Sequence, residues 1–310
     1  MQSSLASAVT KAASKQTYYT IRFLVDRERR EDAYRAYAYF RWVDDILDGD
    51  TPSELVASDS RRRWFVERQG ALLDRCLRGD APLHANAQEA MLVELVRRAG
   101  PGDGALVAYL RNMMRVMDFD VRRRGQLISH AELDEYTGWL ATAVTEAMHH
   151  FLGNGTDSPR DETRYLAVTG AHIVHMLRDT HEDVRAGYFN VPREVLEAAA
   201  VSPADVHSDA YRSWVAERIE LARTCFEGGR DYFTRVEEPR HRLAGMAYIA
   251  RFEWLIQTIE REGYRLRPRY DERRSLGIGL RMGWQAIASM VRGRGEGMPS
   301  PVGAAHRGRT

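Results

Sequence analysis

The sequence predicts an all-α protein folded as a single large helical bundle. Long stretches carry apolar and aromatic residues three and four apart, as at Tyr34, Tyr37, Ala38 and Arg41, the mark of one face of a helix. Breakers rich in glycine and proline separate these stretches. No run shows the apolar–polar alternation of a half-buried strand, and no repeat of about 20–50 residues is present.

Taken in order, residues 1–13 are rich in Ser and Ala and read as a flexible start, so the folded domain is placed at 14–292. An aromatic-rich helix begins at Ser14, and a longer one is expected over Arg27–Leu47, ended by Gly49-Asp50-Thr51-Pro52-Ser53. Helices follow over Arg61–Leu77 and Ala85–Arg98, then, past a glycine-rich break at 100–104, over Ala105–Arg122. Ser129 and Glu132 have the spacing of a capping box and open a helix that runs to Leu152. Thr163–Arg185 forms the next helix, ended at Gly187, and Val191-Pro192-Arg193-Glu194 starts a short one. Two long amphipathic stretches cover Ala204–Val236 and Ala244–Glu262. A final helix is expected over Arg273–Val291, and the Gly/Pro/Arg tail at 293–310 reads as disordered.

With 310 residues, the chain suits one large helical domain. A net charge of +1 supplies no field that would draw nucleic acid, and the runs Arg61–Arg63 and Arg122–Arg124 read as solvated faces rather than phosphate sites. Cys76 and Cys225 stand far apart, outside any metal-ligand spacing, and suit a reducing cytoplasm. No basic-then-apolar leader is visible, and no run of about 18 apolar residues would span a membrane. A cytoplasmic protein is expected. The apolar residues among the arginines of the last helix also allow it to rest on a membrane surface, with packing against the bundle the favoured alternative.

Chemistry is concentrated in two acidic groups. The first, Phe40-Arg41-Trp42-Val43-Asp44-Asp45-Ile46-Leu47-Asp48, places Asp44 and Asp48 four apart on one helix face with Asp45 beside them. Like charges at that spacing repel unless they share a cation, and hard oxygen ligands without thiolate point to Mg²⁺ holding a phosphate. The second group, Arg178-Asp179-Thr180-His181-Glu182-Asp183, repeats the spacing at Asp179 and Asp183, with Glu182 between. Two such helices facing each other would build a carboxylate cage around a shared cavity. Mg²⁺ placed there would neutralise a diphosphate leaving group.

These residues carry a resemblance to the squalene/phytoene synthase family, the head-to-head class of trans-isoprenyl diphosphate synthases. The first motif matches Asp44-Asp45-Ile46-Leu47-Asp48 with its preceding aromatic–Arg run. The second matches Leu177-Arg178-Asp179-Thr180-His181-Glu182-Asp183, then Gly187 and Pro192. The resemblance covers most of the chain from Ser14. It implies an isoprenoid-synthase type of bundle with a central cavity, Mg²⁺ dependence and an allylic diphosphate donor.

The chain also departs from that pattern. His172 and His175 stand where the family usually has glutamine and asparagine. Tyr188 and Asn190 replace an arginine and an aromatic after the glycine. Thr142 and Thr145 replace glycines of the helix from Ser129, with Trp139 and His149 adding bulk. A narrower, more polar cavity suits one prenyl donor beside a smaller acceptor. The expectation is therefore a prenyltransferase that moves a short allylic group to an electron-rich aromatic, as squalene-synthase-like enzymes of secondary metabolism do with carbazoles. The alternatives are head-to-head synthesis of phytoene or squalene, and a catalytically silent helical binding module. NADPH finds no glycine-rich phosphate loop. In the leading expectation Asp44, Asp48, Asp179 and Asp183 hold metal, supported by Asp45 and Glu182. Arg41 and Arg178 balance charge or bind diphosphate, Tyr37 and Phe40 shield the cation, Thr142, Tyr188 and Asn190 contact substrate, and His172 or His175 orients the acceptor or removes its proton.

Overall fold

A computed structural model describes residues 2–49, 59–82, 84–99 and 103–270. Among them lie eleven α-helices: α1 Gln2–Ala13, α2 Lys15–Leu24, α3 Arg30–Asp48, α4 Asp59–Leu77, α5 Glu89–Ala99, α6 Gly104–Arg123, α7 His130–Leu152, α8 Leu166–Ala186, α9 Arg193–Ala199, α10 Asp209–Arg235 and α11 Pro239–Arg261. The one extended contact among the described residues is an isolated bridge between Leu127 and Phe189. The all-α expectation holds. No helix among the described residues is long and apolar enough to cross a membrane.

The helix ends follow from local chemistry. The capping box at α7 is formed, with Ser129 Oγ accepting the Glu132 backbone N–H at 3.2 Å and Glu132 Oε2 accepting that of Ser129 at 2.8 Å. Gly49 and Gly187 close α3 and α8 in the left-handed region, at φ 87° and 86°. Three expected starts move for identifiable reasons. Asn86 Oδ1 accepts the backbone N–H groups of Gln88 and Glu89, so the chain turns before α5. Ser208 caps α10 through the Tyr211 N–H, and Glu238 with Pro239 opens α11 earlier than Ala244.

The expectation of a flexible start is corrected over Gln2–Ala13, which forms α1 with Ala6 fully buried against the α3 region and Thr10 Oγ1 donating back to the Ala6 carbonyl at 2.8 Å. The last helix over Arg273–Val291, its surface role, the domain end at 292 and the tail at 293–310 lie outside the described residues.

Apolar side chains gather in two clusters. One holds Tyr39, Leu92 and Leu110 of α3, α5 and α6. The other holds Ile173, Phe226 and Ile256 of α8, α10 and α11. Helices α6 and α7 contribute to both, so their shared seam is where the clusters meet. Cys76 and Cys225 are buried free thiols, one in each half of the chain.

Helix α8 is fixed by a close approach to α10. A Cβ on Gly229 would lie 2.7 Å from Ala167 Cβ and 2.8 Å from its Cα. One turn further along α8, a Cβ on Gly170 would lie 3.0 Å from the Ala222 carbonyl oxygen. Gly229→Ala should therefore push α8 outward and destabilise the fold by about 1–3 kcal/mol. A urea midpoint equal to that of the wild type would contradict this close packing.

Candidate active site

Where α3, α6, α7 and α8 converge, they enclose a cavity of about 270 Å³. Asp44 and Asp48 reach it from the last turns of α3, and Asp179 and Asp183 from the last turns of α8. Spacing of four places each pair on one stripe, and the helices bring the stripes to one chamber. His172 and His175 lie up to two turns earlier on α8 and line the same cavity, as do Tyr188 and Asn190 just after Gly187.

Three polar lining residues stand outside the expected site residues: Asp120 and Arg123 of α6, and Tyr136 of α7. Tyr136 donates its hydroxyl to Asp120 Oδ2 at 3.1 Å, and Arg123 Nε donates to Asp120 Oδ1 at 2.7 Å. Arg123 is only 8% exposed and its guanidinium lies 4.7 Å from the Tyr136 ring centre and 5.0 Å from that of Tyr188. This corrects the view of Arg122–Arg124 as a purely solvated run. Arg122 does pair at the surface with Asp118, while the next residue turns inward. The available signal was the three-residue spacing of Asp120 and Arg123, which the flanking arginines obscured.

Several expected residues fall outside the cavity. Asp45 sits one position round the helix from Asp44 and is ion-paired with Arg41, which also donates to Asp44 Oδ2 at 3.1 Å. Arg178 binds Asp179 through both carboxylate oxygens, at 2.6 and 2.5 Å. These arginines therefore balance the aspartates from outside and do not line the chamber. Glu182 is exposed. Phe40 is buried one turn deeper, edge-on to Tyr39 and Tyr109, and Tyr37 packs beside the same cluster. Thr142 is two residues from the lining Leu140 and so on another face of α7. His149 is turned away too. It pairs with the Tyr232 hydroxyl at 2.6 Å and borders a separate crevice of about 860 Å³. Trp139 packs on Phe119.

The carboxylates outweigh the positive charge of Arg123 in this cavity. Burial, reinforced by Asp48, pushes the Asp44 carboxyl up to about 6, against an ordinary 3.8. Burial with the neighbouring Asp179 charge pushes Asp183 up to about 7. Burial also raises Asp120, opposed by Arg123. His172 is driven down to about 3, by burial first and His175 second, so its ring is neutral near pH 7. It packs edge-on to Tyr136 at 5.1 Å, and its Nε2 is buried without a hydrogen-bond partner.

Among the described residues, no three His, Cys, Asp or Glu side chains converge closely enough to hold a metal ion unaided. The donors still suit Mg²⁺, which takes one or two carboxylates and completes its shell with waters and substrate phosphates. All four aspartates offer oxygen alone, and the raised Asp44 and Asp183 favour a nearby cation.

The squalene/phytoene synthase family matches residues 10–276. A chloroplastic phytoene synthase of Narcissus pseudonarcissus is 25% identical over 258 residues, covering 80% of this chain and 57% of that protein. A presqualene diphosphate synthase of Rhodopseudomonas palustris is 25% identical over 250 residues, 77% of this chain and 83% of that one. The chain thus spans little more than half the length of the Narcissus enzyme and of two phytoene synthases of Zea mays. Among solved structures, a dehydrosqualene synthase with ligand aligns at a TM-score of 0.70 and 15% identity, covering 94% of this chain and 97% of that one. A squalene synthase of Alicyclobacillus acidocaldarius aligns at 0.67 and 19%, covering 86% and 95%. These structural likenesses establish the isoprenoid-synthase bundle.

Asp183 is raised by burial and by the neighbouring Asp179 charge. Its folded carboxyl holds a proton that the unfolded chain releases near pH 4, so this group's contribution to stability falls as pH rises from about 4 to about 7. Metal-free Asp183→Asn should accordingly melt above the wild type at pH 8, by roughly 2–5 °C, and the gap should narrow as pH falls to 5. Equal melting at both pH values would show that Asp183 is not held at a cost.

Proposed function

The chain belongs to the squalene/phytoene synthase family, and from that premise we propose that it is a Mg²⁺-dependent prenyltransferase acting on an allylic prenyl diphosphate. The observation that carries this reading is the meeting of Asp44, Asp48, Asp179 and Asp183 at one cavity in which two of the four resist ionisation. Mg²⁺ held by these carboxylates would supply the positive charge that lets diphosphate depart with the electrons of the C–O bond.

The chain's own residues have distinct parts in that reaction. Arg41 and Arg178 hold Asp44 and Asp179 from outside the chamber. Arg123, fixed over Tyr136 and Tyr188, faces the diphosphate end of the same cavity. The rings of Tyr136 and Tyr188, rather than Tyr37 or Phe40, are the aromatic surfaces on the cavity wall that an allylic cation would meet. The neutral His172 can accept a proton or a hydrogen bond at Nε2. The buried free thiols suit a reducing cytoplasm as the place of action.

For the second substrate, the phytoene and presqualene diphosphate synthases among the relatives favour another prenyl diphosphate, joined head to head. A second reading, transfer of a short prenyl group to an aromatic acceptor such as a carbazole, rests on a specific observation. At about 270 Å³ the cavity is at the small end for ligand pockets, which run to about 1,000 Å³, and His172 and His175 stand on its wall.

Incubation with Mg²⁺ and labelled dimethylallyl, farnesyl or geranylgeranyl diphosphate separates these outcomes. A C30 or C40 product from the longer donors alone supports condensation and excludes the aromatic reading. Turnover only with an added aromatic supports the latter, and no diphosphate release with any donor leaves a binding module. Asp44→Asn and Asp179→Asn should each lower turnover by about 10²–10³-fold or more while far-ultraviolet dichroism is unchanged. Full activity in both would defeat the two-cluster site.

A further inference from the structure

Asp183 does not stand in the cavity as a free carboxylate. Asn190 Nδ2 donates to its Oδ2 at 2.7 Å, and Asn190 Oδ1 accepts a terminal N–H of Arg123 at 2.7 Å. Arg123 Nε is held in turn by Asp120, which Tyr136 anchors. The connection therefore runs from α7 through α6 to the loop after α8, and every member lines the cavity. Arg123 and Asn190 are each 8% exposed, so both are locked by packing as well as by hydrogen bonds.

The amide's place between the charges is the telling feature. Arg178 and Arg41 contact their aspartates directly and occupy carboxylate oxygens. Asn190 instead holds Arg123 one amide away from Asp183, and leaves Asp183 Oδ1 for a ligand. A guanidinium has five N–H donors, and Arg123 uses one on Asp120 and one on Asn190, leaving others for an anion in the cavity. We infer that Asn190 is a positioning residue that ties Arg123 to Asp183, so that a fixed cation and a fixed carboxylate receive magnesium diphosphate as one prearranged unit. The inference deepens the proposed diphosphate chemistry and rests on it.

Calorimetric titration of the full chain with inorganic pyrophosphate, with and without Mg²⁺, tests this without turnover. Asn190→Ala should weaken binding in Mg²⁺ about tenfold or more, as should the same-sized Asn190→Asp, which sets a carboxylate against Asp183. Arg123→Gln should weaken binding similarly, and Arg123→Gln with Asn190→Ala should lose little beyond the worse single change, because the two act through one link. Thermal melts of Asn190→Asp should confirm that the fold persists. Wild-type affinity in both Asn190 variants, or losses that add in the double variant, would overturn the positioning role alone. A wild type that does not bind magnesium pyrophosphate would overturn that role together with the diphosphate reading.

Discussion

Carboxylates of like charge drawn into one partly buried chamber are the constraint on which the rest of this structure depends. Asp44 with Asp48, and Asp179 with Asp183, stand a turn apart on α3 and on α8, where like charges repel, and a rotation of either helix would carry its stripe away from the other. They are held because α3 and α8 bury large apolar faces elsewhere along their length, and the strain is expressed as proton affinity. Asp44 and Asp183 sit at about 6 and about 7 instead of 3.8. A site in that condition favours whatever brings positive charge.

The scaffold supplies some of that charge itself, in two distinct ways. Arg41 and Arg178 lie outside the chamber and compensate carboxylates by direct contact, exposed enough to water that each pair is worth little as a stabilising bridge. Arg123 is buried between tyrosine rings and reaches Asp183 only through an amide. The first arrangement tunes the aspartates, and the second keeps a cation within the cavity wall. Both depend on α8 staying pressed to α10 at Gly170 and Gly229, where any side chain would displace the helix that carries half of the acidic residues.

Much of the fold was legible in helical periodicity and in caps. The capping box at Ser129, the left-handed Gly187 and the four-residue aspartate spacings each follow from local rules, and each stands where those rules place it. What was not legible depended on long-range packing. The Ser/Ala-rich start has weak apolar patterning of its own, yet Ala6 is buried in the apolar cluster that holds the α3 side chains. Tyr37 and Phe40 are aromatic neighbours of the acidic motif, but Phe40 packs in the core against Tyr109 of α6. Arg123 lies in an arginine run that looks like solvent-facing surface, and only the placement of α7 and of the loop after α8 gives it Tyr136 and Asn190 as partners. Sequence spacing defines which residues share a helix face, whereas the neighbours of that face are set by the whole bundle.

The central claim is that the two aspartate stripes form one metal–diphosphate site. Diffraction from crystals grown with Mn²⁺ and an unreactive diphosphate analogue, with the anomalous signal of manganese collected, tests it most directly. The account predicts anomalous peaks in the cavity beside Asp44 or Asp48 and beside Asp179 or Asp183, bridged by diphosphate oxygens. Well-occupied analogue with no manganese between the stripes, or manganese bound only at the crevice near His149, would contradict it.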